Sequence, residues 1–370
     1  MKPVPFYRQA GLSLIELMVA MLISLILLGG VLQVFISSKD MYRTNTAVAR
    51  VQEAGRFATD FMTFDVRQAG YKGECLSDPL SHLELSSKTT DEKNAFSTSP
   101  AIQGWDNSKP VTFGAADSTR ADTDAFIVKY AGEGKEFDPQ GTNNAQTPSL
   151  GVEVKVNDEK GTGAYAGQIV LLGNSTGCDI FQNANNANAS SFQRAGKNVE
   201  PGNEVPTADW SQSYQKKLTS YIFRSHTYYV RDNVGRLPSL VRKALTPSGN
   251  NVIFADEELV EGVIDMQVTY GLDQDGDRLA DQYVKAGTNN LVATGTGDWD
   301  KVVSARISIL AVSPEIHVLE EPQTFVYPAA VGIERDDDYA LYEDDGTVTI
   351  KNNRVAQVYT ATVAIRNRLP

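Results

Sequence analysis

An unbroken apolar run from Leu12 to Ile36, LSLIELMVAMLISLILLGGVLQVFI, constrains this chain more than any other feature. At about 1.5 Å per residue it reaches roughly 37 Å as a helix, enough to cross a bilayer. The residues before it, MKPVPFYRQAG, carry Lys2 and Arg8 and no acid. Positive charge on that side predicts a cytoplasmic N-terminus and export of everything that follows. A secretory signal peptide has an apolar stretch of roughly 7–15 residues closed by a small-residue cleavage site. This run is longer and continues into helical sequence. A plain signal anchor fits the length but leaves the one charge in the run, Glu16, unexplained.

A carboxylate within a membrane segment costs on the order of 3 kcal/mol near the centre and less near an end, so it needs a partner. Cleavage after Gly11 would free the Leu12 amine, and Glu16 lies four residues, about one helical turn, beyond it. In a bundle of such helices, the carboxylate of one subunit can pair with the ammonium of a neighbour. That pairing neutralises two buried charges and fixes the axial register.

Gly11-Leu12-Ser13-Leu14-Ile15-Glu16 resembles the prepilin peptidase site of type IV pilins and type II secretion pseudopilins. The resemblance implies cleavage after Gly11, methylation of the new N-terminus at Leu12, and an assembly role for Glu16. The first mature residue of that family is usually Phe and here is Leu12. Major pilins also carry a helix-breaking Pro in the apolar segment. This chain has Gly29-Gly30 instead, expected to loosen the helix at a similar depth. The stretch 51–75 narrows the resemblance to the PilW family of minor pilins, through Gly55-Arg56-Phe57, Ala69-Gly70-Tyr71 and Cys75. The C-terminal block 363–370 and residues near 262–283 agree with it.

Beyond Ser38 the helix is expected to continue to about Gly70. Val48, Val51, Ala54, Ala58, Phe61 and Asp65 recur at helical spacing, and Phe57 and Phe64 widen the stripe. Alternating apolar residues then predict strands at 264–270, 303–311 and 359–365. Weaker patterns fall at 124–130, 152–156, 168–172 and 221–231. No strand–helix–strand rhythm appears, so the expected fold is α+β, a long helix packed on a mainly antiparallel sheet. Residues 77–120, 131–149 and 182–206 read as surface loops. The domain organisation is a leader at 1–11, a transmembrane or filament-core helix at 12–36, its amphipathic continuation at 37–70, and an extracytoplasmic β-rich domain at 71–370.

The net charge of −12 disfavours direct nucleic-acid binding, which needs clustered Lys and Arg. Two cysteines without a CxxC, and three scattered histidines, make no zinc site of the usual kind. In an exported domain Cys75 and Cys178 are expected to form a disulfide; two buried free thiols are the alternative. Asp273, Asp275, Asp277 and Asp281, with the Leu279 carbonyl, have the spacing of a short calcium loop. The loop departs from an EF-hand, with Arg278 and Val284 where Gly and Glu would stand. An acidic hairpin turn explains the same residues. The acidic run from Glu334 to Asp345 reads as a solvated face. Gly173-Asn174-Ser175-Thr176-Gly177 matches G-x-S-x-G only in letters and reads as a hairpin turn.

No catalytic constellation is found in the sequence and no cofactor is required; a structural calcium is the one candidate. The resemblance implies a low-copy subunit that helps initiate pilus assembly and sits at the tip. Its partners would be other minor pilins, the major pilin, prepilin peptidase, the inner-membrane assembly platform and a tip adhesin. Its location would be the inner membrane first and the pilus afterwards. A type II secretion pseudopilin, and a calcium-dependent adhesin or DNA-uptake component, remain as alternatives.

Overall fold

Helix-favouring Leu, Met and Ala recur from residue 14 to residue 68, and the computed structural model folds that stretch into one helix, α1, Leu14–Gln68. The structure describes residues 13–107, 119–138, 153–194, 196, 198–204, 210–214, 216–289, 291 and 297–368. Gly29-Gly30, expected to loosen α1, lies within an unbroken helix. Two glycines cost up to about 1 kcal/mol each, and long helix-favouring flanks propagate across them. At the far end Ala69 turns extended and Gly70 takes φ +77°, which ends the helix. The Asn367 side chain donates to the carbonyls of Gln68 and Ala69, both at 3.1 Å. The end of the chain thus caps carbonyls that the helix leaves unpaired.

The second half of α1 packs through Ala47, Val51, Gly55, Ala58, Met62 and Val66, all buried. Val51, Ala58 and Asp65 of the expected stripe are buried, and the expectation is corrected at its aromatic positions. Phe57, Phe61 and Phe64 stay 48%, 40% and 59% exposed, and the small residues face the sheet instead. The reason is close approach. A Cβ at Gly55 would lie 2.0 Å from the Tyr359 ring, and the Tyr359 hydroxyl donates to the Val51 carbonyl at 3.2 Å. We expect Gly55→Ala to destabilise the domain by about 1–3 kcal/mol, since overpacking outweighs the gain in helix propensity. Thermal unfolding should show a lower midpoint, partly restored by adding Tyr359→Leu. An unchanged midpoint in the single variant would refute the contact.

α1 rests on two sheets. In the larger, Leu218–Arg231 is the central strand. One of its sides pairs antiparallel with Ala125–Phe137, which in turn pairs with Ile102–Trp105. Its other side is shared: residues 219–222 take Ile169–Asn174, and residues 226–231 take Ser239–Ser248. Asn251–Glu261 and Gly177–Gln182 extend these two branches. Among the described residues the single parallel pairing joins Leu80–Ser81 to Asp179–Ile180. The second sheet runs Gln282–Lys285, Val263–Leu272, Val302–Val312, Ala356–Ala364, all antiparallel. A four-stranded sheet from Thr324–Val326 to Thr347–Ile350 covers its far side around Tyr327, Tyr342 and Ile350.

The main core lies where helix and sheets meet. It joins Ala58, Met62 and Val66 to Phe126, Val128, Tyr228 and Val230 of the first sheet, and to Met266, Val268, Ile307, Ile309 and Val363 of the second. Fully burying such side chains contributes roughly 1.5–3 kcal/mol each. The fold is therefore α+β, as the sequence pattern predicts, and every predicted strand falls on an observed one.

Three loop expectations are corrected. Residues 131–137 continue the strand from Ala125, and 139–152 lie outside the described residues. Within the described residues of 182–206 much is packed inward: Ser191–Gln193 pairs with Glu153–Lys155, and Asn183, Phe192 and Asn203 are fully buried. Its polar letters are internal hydrogen-bonding groups. The Asn203 side chain bonds the Gln182 backbone both ways, at 2.9 Å each, and the Asn183 amide donates to the Ala164 and Asn185 carbonyls. Within 77–120, likewise, Ile102–Trp105 is a fully buried strand and Thr90–Ala95 a capped helical turn.

Candidate functional site: the projecting helix and its attachment

From Leu14 to Tyr42 the side chains of α1 are exposed, including Leu14 at 78%, Leu25 at 67% and Phe35 at 67%. This is the one described helix long and apolar enough to cross a membrane. A surface of that size and apolarity needs lipid or other protein against it. The first ties to the domain come later: Arg43 donates to the Ile316 carbonyl at 3.2 Å, and Arg50 pairs with Glu315 at 2.5 Å.

At the helix start, Ser13 is the N-cap. Its hydroxyl accepts from the Glu16 amide at 3.3 Å, and its own amide donates to Glu16 Oε2 at 2.9 Å. This reciprocal box satisfies two amides that a helix end would leave open, and it places the carboxylate at the positive end of the helix dipole. Gly11 and Leu12 lie outside the described residues.

The other end of α1 is held by a buried polar cluster. Asp65 is 1% exposed. Its Oδ1 accepts from the Tyr130 hydroxyl at 2.8 Å; its Oδ2 accepts from the Tyr228 hydroxyl and pairs with His226 Nδ1, both at 2.6 Å. Burial opposes the Asp65 charge, but the bonds from His226, Tyr228 and Tyr130 together hold its carboxyl below the usual range. A groove of about 1010 Å³ opens beside this cluster, with Phe57, Phe61 and Phe64 on its helical wall and Arg224 and Arg242 on its strand wall. Sequence reading placed Asp65 on the helix stripe but found none of its partners. A charge on a buried stripe was the signal that partners must exist.

Cys75 and Cys178 form a disulfide, with Cα atoms 5.8 Å apart. It joins the loop after α1 to the hairpin Ile169–Gln182, whose turn contains Ser175 and Thr176 of the formal G-x-S-x-G match. No nucleophile elbow is formed there, because the turn leads directly into another strand.

Asp273, Asp275 and Asp281 bring carboxylate oxygens within 4.8 Å of one another. Asp277 is not in that group; its carboxylate accepts from the Leu279 amide at 2.7 Å. Backbone amides occupy the others as well, with Gly276 and Arg278 donating to Asp273, Asp277 to Asp275 and Gln274 to Asp281. Three carboxylates suit a calcium donor set only in part, since the ion takes six to eight oxygens.

The acidic run 334–345 is solvated except at Asp337, which corrects the expectation for that residue. Asp337 accepts from Arg120 at 2.5 Å and forms an ion pair with Arg335 at 2.9 Å, and Arg335 also pairs with buried Asp265 at 3.2 Å. This ladder ties the small sheet to the other two. Burial pushes two further internal groups toward neutrality, the Asp124 carboxyl up to about 8 and the Lys129 ammonium down to about 7. Lys129 Nζ donates to the Asn94 side chain at 2.5 Å and its carbonyl at 2.9 Å. These groups join strands and helices inside the domain.

An apolar helix projecting from an antiparallel α+β domain, with a capped acidic residue at its start, is the architecture that the resemblance to pilins implies. The Type IV Pilus-assembly protein W family matches residues 227–367, and the Prokaryotic N-terminal methylation motif matches residues 7–32. The two matches are those of a PilW-family pilin and support a minor pilin of a type IV pilus; that family is a structural component. No curated protein and no solved structure matches the chain.

Proposed function

We propose that this minor pilin helps initiate type IV pilus assembly and sits at the pilus tip. Prepilin peptidase would cut after Gly11, and the Leu12 amine would be methylated. The chain would wait in the inner membrane, N-terminus inward and domain in the periplasm, until the assembly platform lifts it. Its partners are other minor pilins, the major pilin and a tip adhesin. The observation that carries this reading is the exposed apolar half of α1, free of the domain up to Arg43. A domain that runs on from residue 71 is bulky for a packed shaft, which favours an end position. The match at 227–367 favours this reading over a type II secretion pseudopilin.

Glu16→Val tests it, by counting surface pili beside an immunoblot for mature chain. We expect few or no pili at normal mature levels. Full piliation in that variant would remove Glu16 from the docking step.

Calcium at Asp273, Asp275 and Asp281 is a second proposal, supported by the convergence of the three carboxylates. Adding calcium to chelator-treated protein should raise its melting temperature, and Asp275→Asn should abolish the rise. Identical melting with and without calcium would leave only an acidic turn.

A further inference from the structure

We propose that the outer edge of the strand Ala356–Ala364 is a docking rail that takes an extended strand from another pilus subunit and adds it to the second sheet. The inference rests on the reading of this chain as a pilus subunit and names one contact it makes. The strand ends its sheet: it pairs with Val302–Val312 on one side and with no described strand on the other. Two bonds fix the direction of its backbone groups. The Ile365 amide donates to the Val303 carbonyl at 2.9 Å, and the Ser313 amide donates to the Val355 carbonyl at 2.8 Å. In an antiparallel pair, residues that point their amides and carbonyls at the partner alternate with residues that point them away. The odd-numbered residues therefore face Val302–Val312, and the even-numbered ones face outward. The outward Ala356 amide donates to the Gln323 side chain at 2.7 Å. Val358, Thr360, Thr362 and Ala364 have no backbone partner on that side among the described residues, and the last three are exposed.

A row of free amides and carbonyls templates another strand, so long edges are normally blunted by charge, proline or a bulge. Another long edge of this fold is blunted in that way. Asn251–Glu261 carries Asp256, Glu257, Glu258 and Glu261, and its register shifts between Glu258 and Val260. Ala356–Ala364 reads AQVYTATVA, with no charge, no Pro and no Gly, and it keeps one register from Ala356 to Ala364. Extended backbone is what matches such a rail, because it offers a donor and an acceptor at every second residue. Two cations mark the end of the rail near Ala364. Arg306 lies over the Tyr283 ring and bonds the Thr362 hydroxyl, and Arg366 is exposed; neither pairs with an acid among the described residues. The partner segment is thus uncharged and β-branched along the rail, with an acidic residue where it passes these arginines. The other contacts of the strand hold the rail beside α1, through Tyr359 against Gly55 and Val363 in the main core.

The test uses the full-length chain in cells and measures the ratio of chain in sheared pili to mature chain in membranes. The Thr362 amide faces outward, so Thr362→Pro takes no bond from Val302–Val312 and blocks only an added strand. We expect it to melt with the native chain and to lower the ratio roughly tenfold, the weight of about one net strand hydrogen bond. Thr360→Lys combined with Thr362→Lys leaves the backbone intact and guards the edge by charge, and should lower the ratio as well. If the proline variant melts early, the double lysine variant decides. An unchanged ratio in that variant overturns the proposal. A photoreactive phenylalanine at Thr360 reads the contact itself. It should give an adduct recognised by antiserum to a pilin, which the same group at exposed Leu341 of the small sheet does not give. No adduct at Thr360, or the same adduct from both positions, overturns it too. Glu16→Val run in parallel separates this inference from the reading it rests on. Loss of pili there, with normal ratios in both edge variants, would remove the rail and leave the pilus subunit standing.

Discussion

Replacing Asp65 with Ala should unfold or detach the second half of α1 more readily, at a loss of about 3–5 kcal/mol. The carboxylate receives Tyr130, Tyr228 and His226 in a site almost closed to solvent. Deleting it leaves three donors from the central strands without their acceptor, and an unmet buried group costs its desolvation free energy. Asp65→Asn should cost less, because one carbonyl oxygen still accepts. The pH dependence gives a second check. A carboxyl held below its ordinary value contributes stability that is present above about pH 4 and is lost as pH falls through the folded value. The gap between native and Asp65→Ala chains in urea midpoint should therefore narrow in acid. Asp124 acts with the opposite sign. Its carboxyl, raised to about 8 by burial, contributes stability that is full below about pH 4 and is lost as pH rises toward 8. A native-to-variant gap that stays constant from pH 7 to pH 3 would rule out an ionised Asp65 as the origin.

The helix and the alternating strands were legible because each is written in short-range periodicity. Leu12–Ile36 needs no partner to be recognised, and Ile264, Met266 and Val268 alternate whichever strand lies beside them. What the sequence did not disclose depends on contacts between distant residues. Gly55 was visible as a letter of a family motif, but its reason is the ring of Tyr359, which the fold brings onto the helix. The aromatic residues Phe57, Phe61 and Phe64 satisfied the helical period and still face outward, because a close helix–sheet contact admits Ala and Gly first. The asparagine-rich stretch near 183–203 looked like a loop because polarity is a surrogate for exposure. There the amides take the place of a strand ladder. Ser13 was part of the peptidase motif, while its bond to Glu16 required the helix start to be built. Asp337 was hidden inside an acidic run, since only three-dimensional proximity selects it from its neighbours for Arg120 and Arg335.

Loss of the Cys75–Cys178 bond should have an effect of similar size, and it acts mainly on the unfolded chain. The bridge closes a loop with a sequence separation of 103 residues. Chain entropy assigns a loop of about 100 residues roughly 4.7 kcal/mol, and measured removals in small secreted domains fall at about 2–5 kcal/mol. The enclosed segment holds the buried strand Ile102–Trp105, all of Ala125–Phe137 and the hairpin strand Ile169–Asn174, so it must be ordered in one step with the rest. Cys75→Ser is expected to lower the urea midpoint strongly under oxidising conditions and to match the reduced native protein. The other side of the bond supplies an independent route. A Cβ at Gly173 would stand 2.3 Å from Cys178 Sγ, so Gly173→Ala should hinder closure of the bridge without removing either thiol. Free-thiol titration of that variant should find reactive cysteines where the native chain has none. If reduction leaves the urea midpoint of the native chain unmoved, the bridge is not what holds the segment after α1 to the hairpin, and the packing of Tyr71 edge-on to Tyr221 would have to suffice.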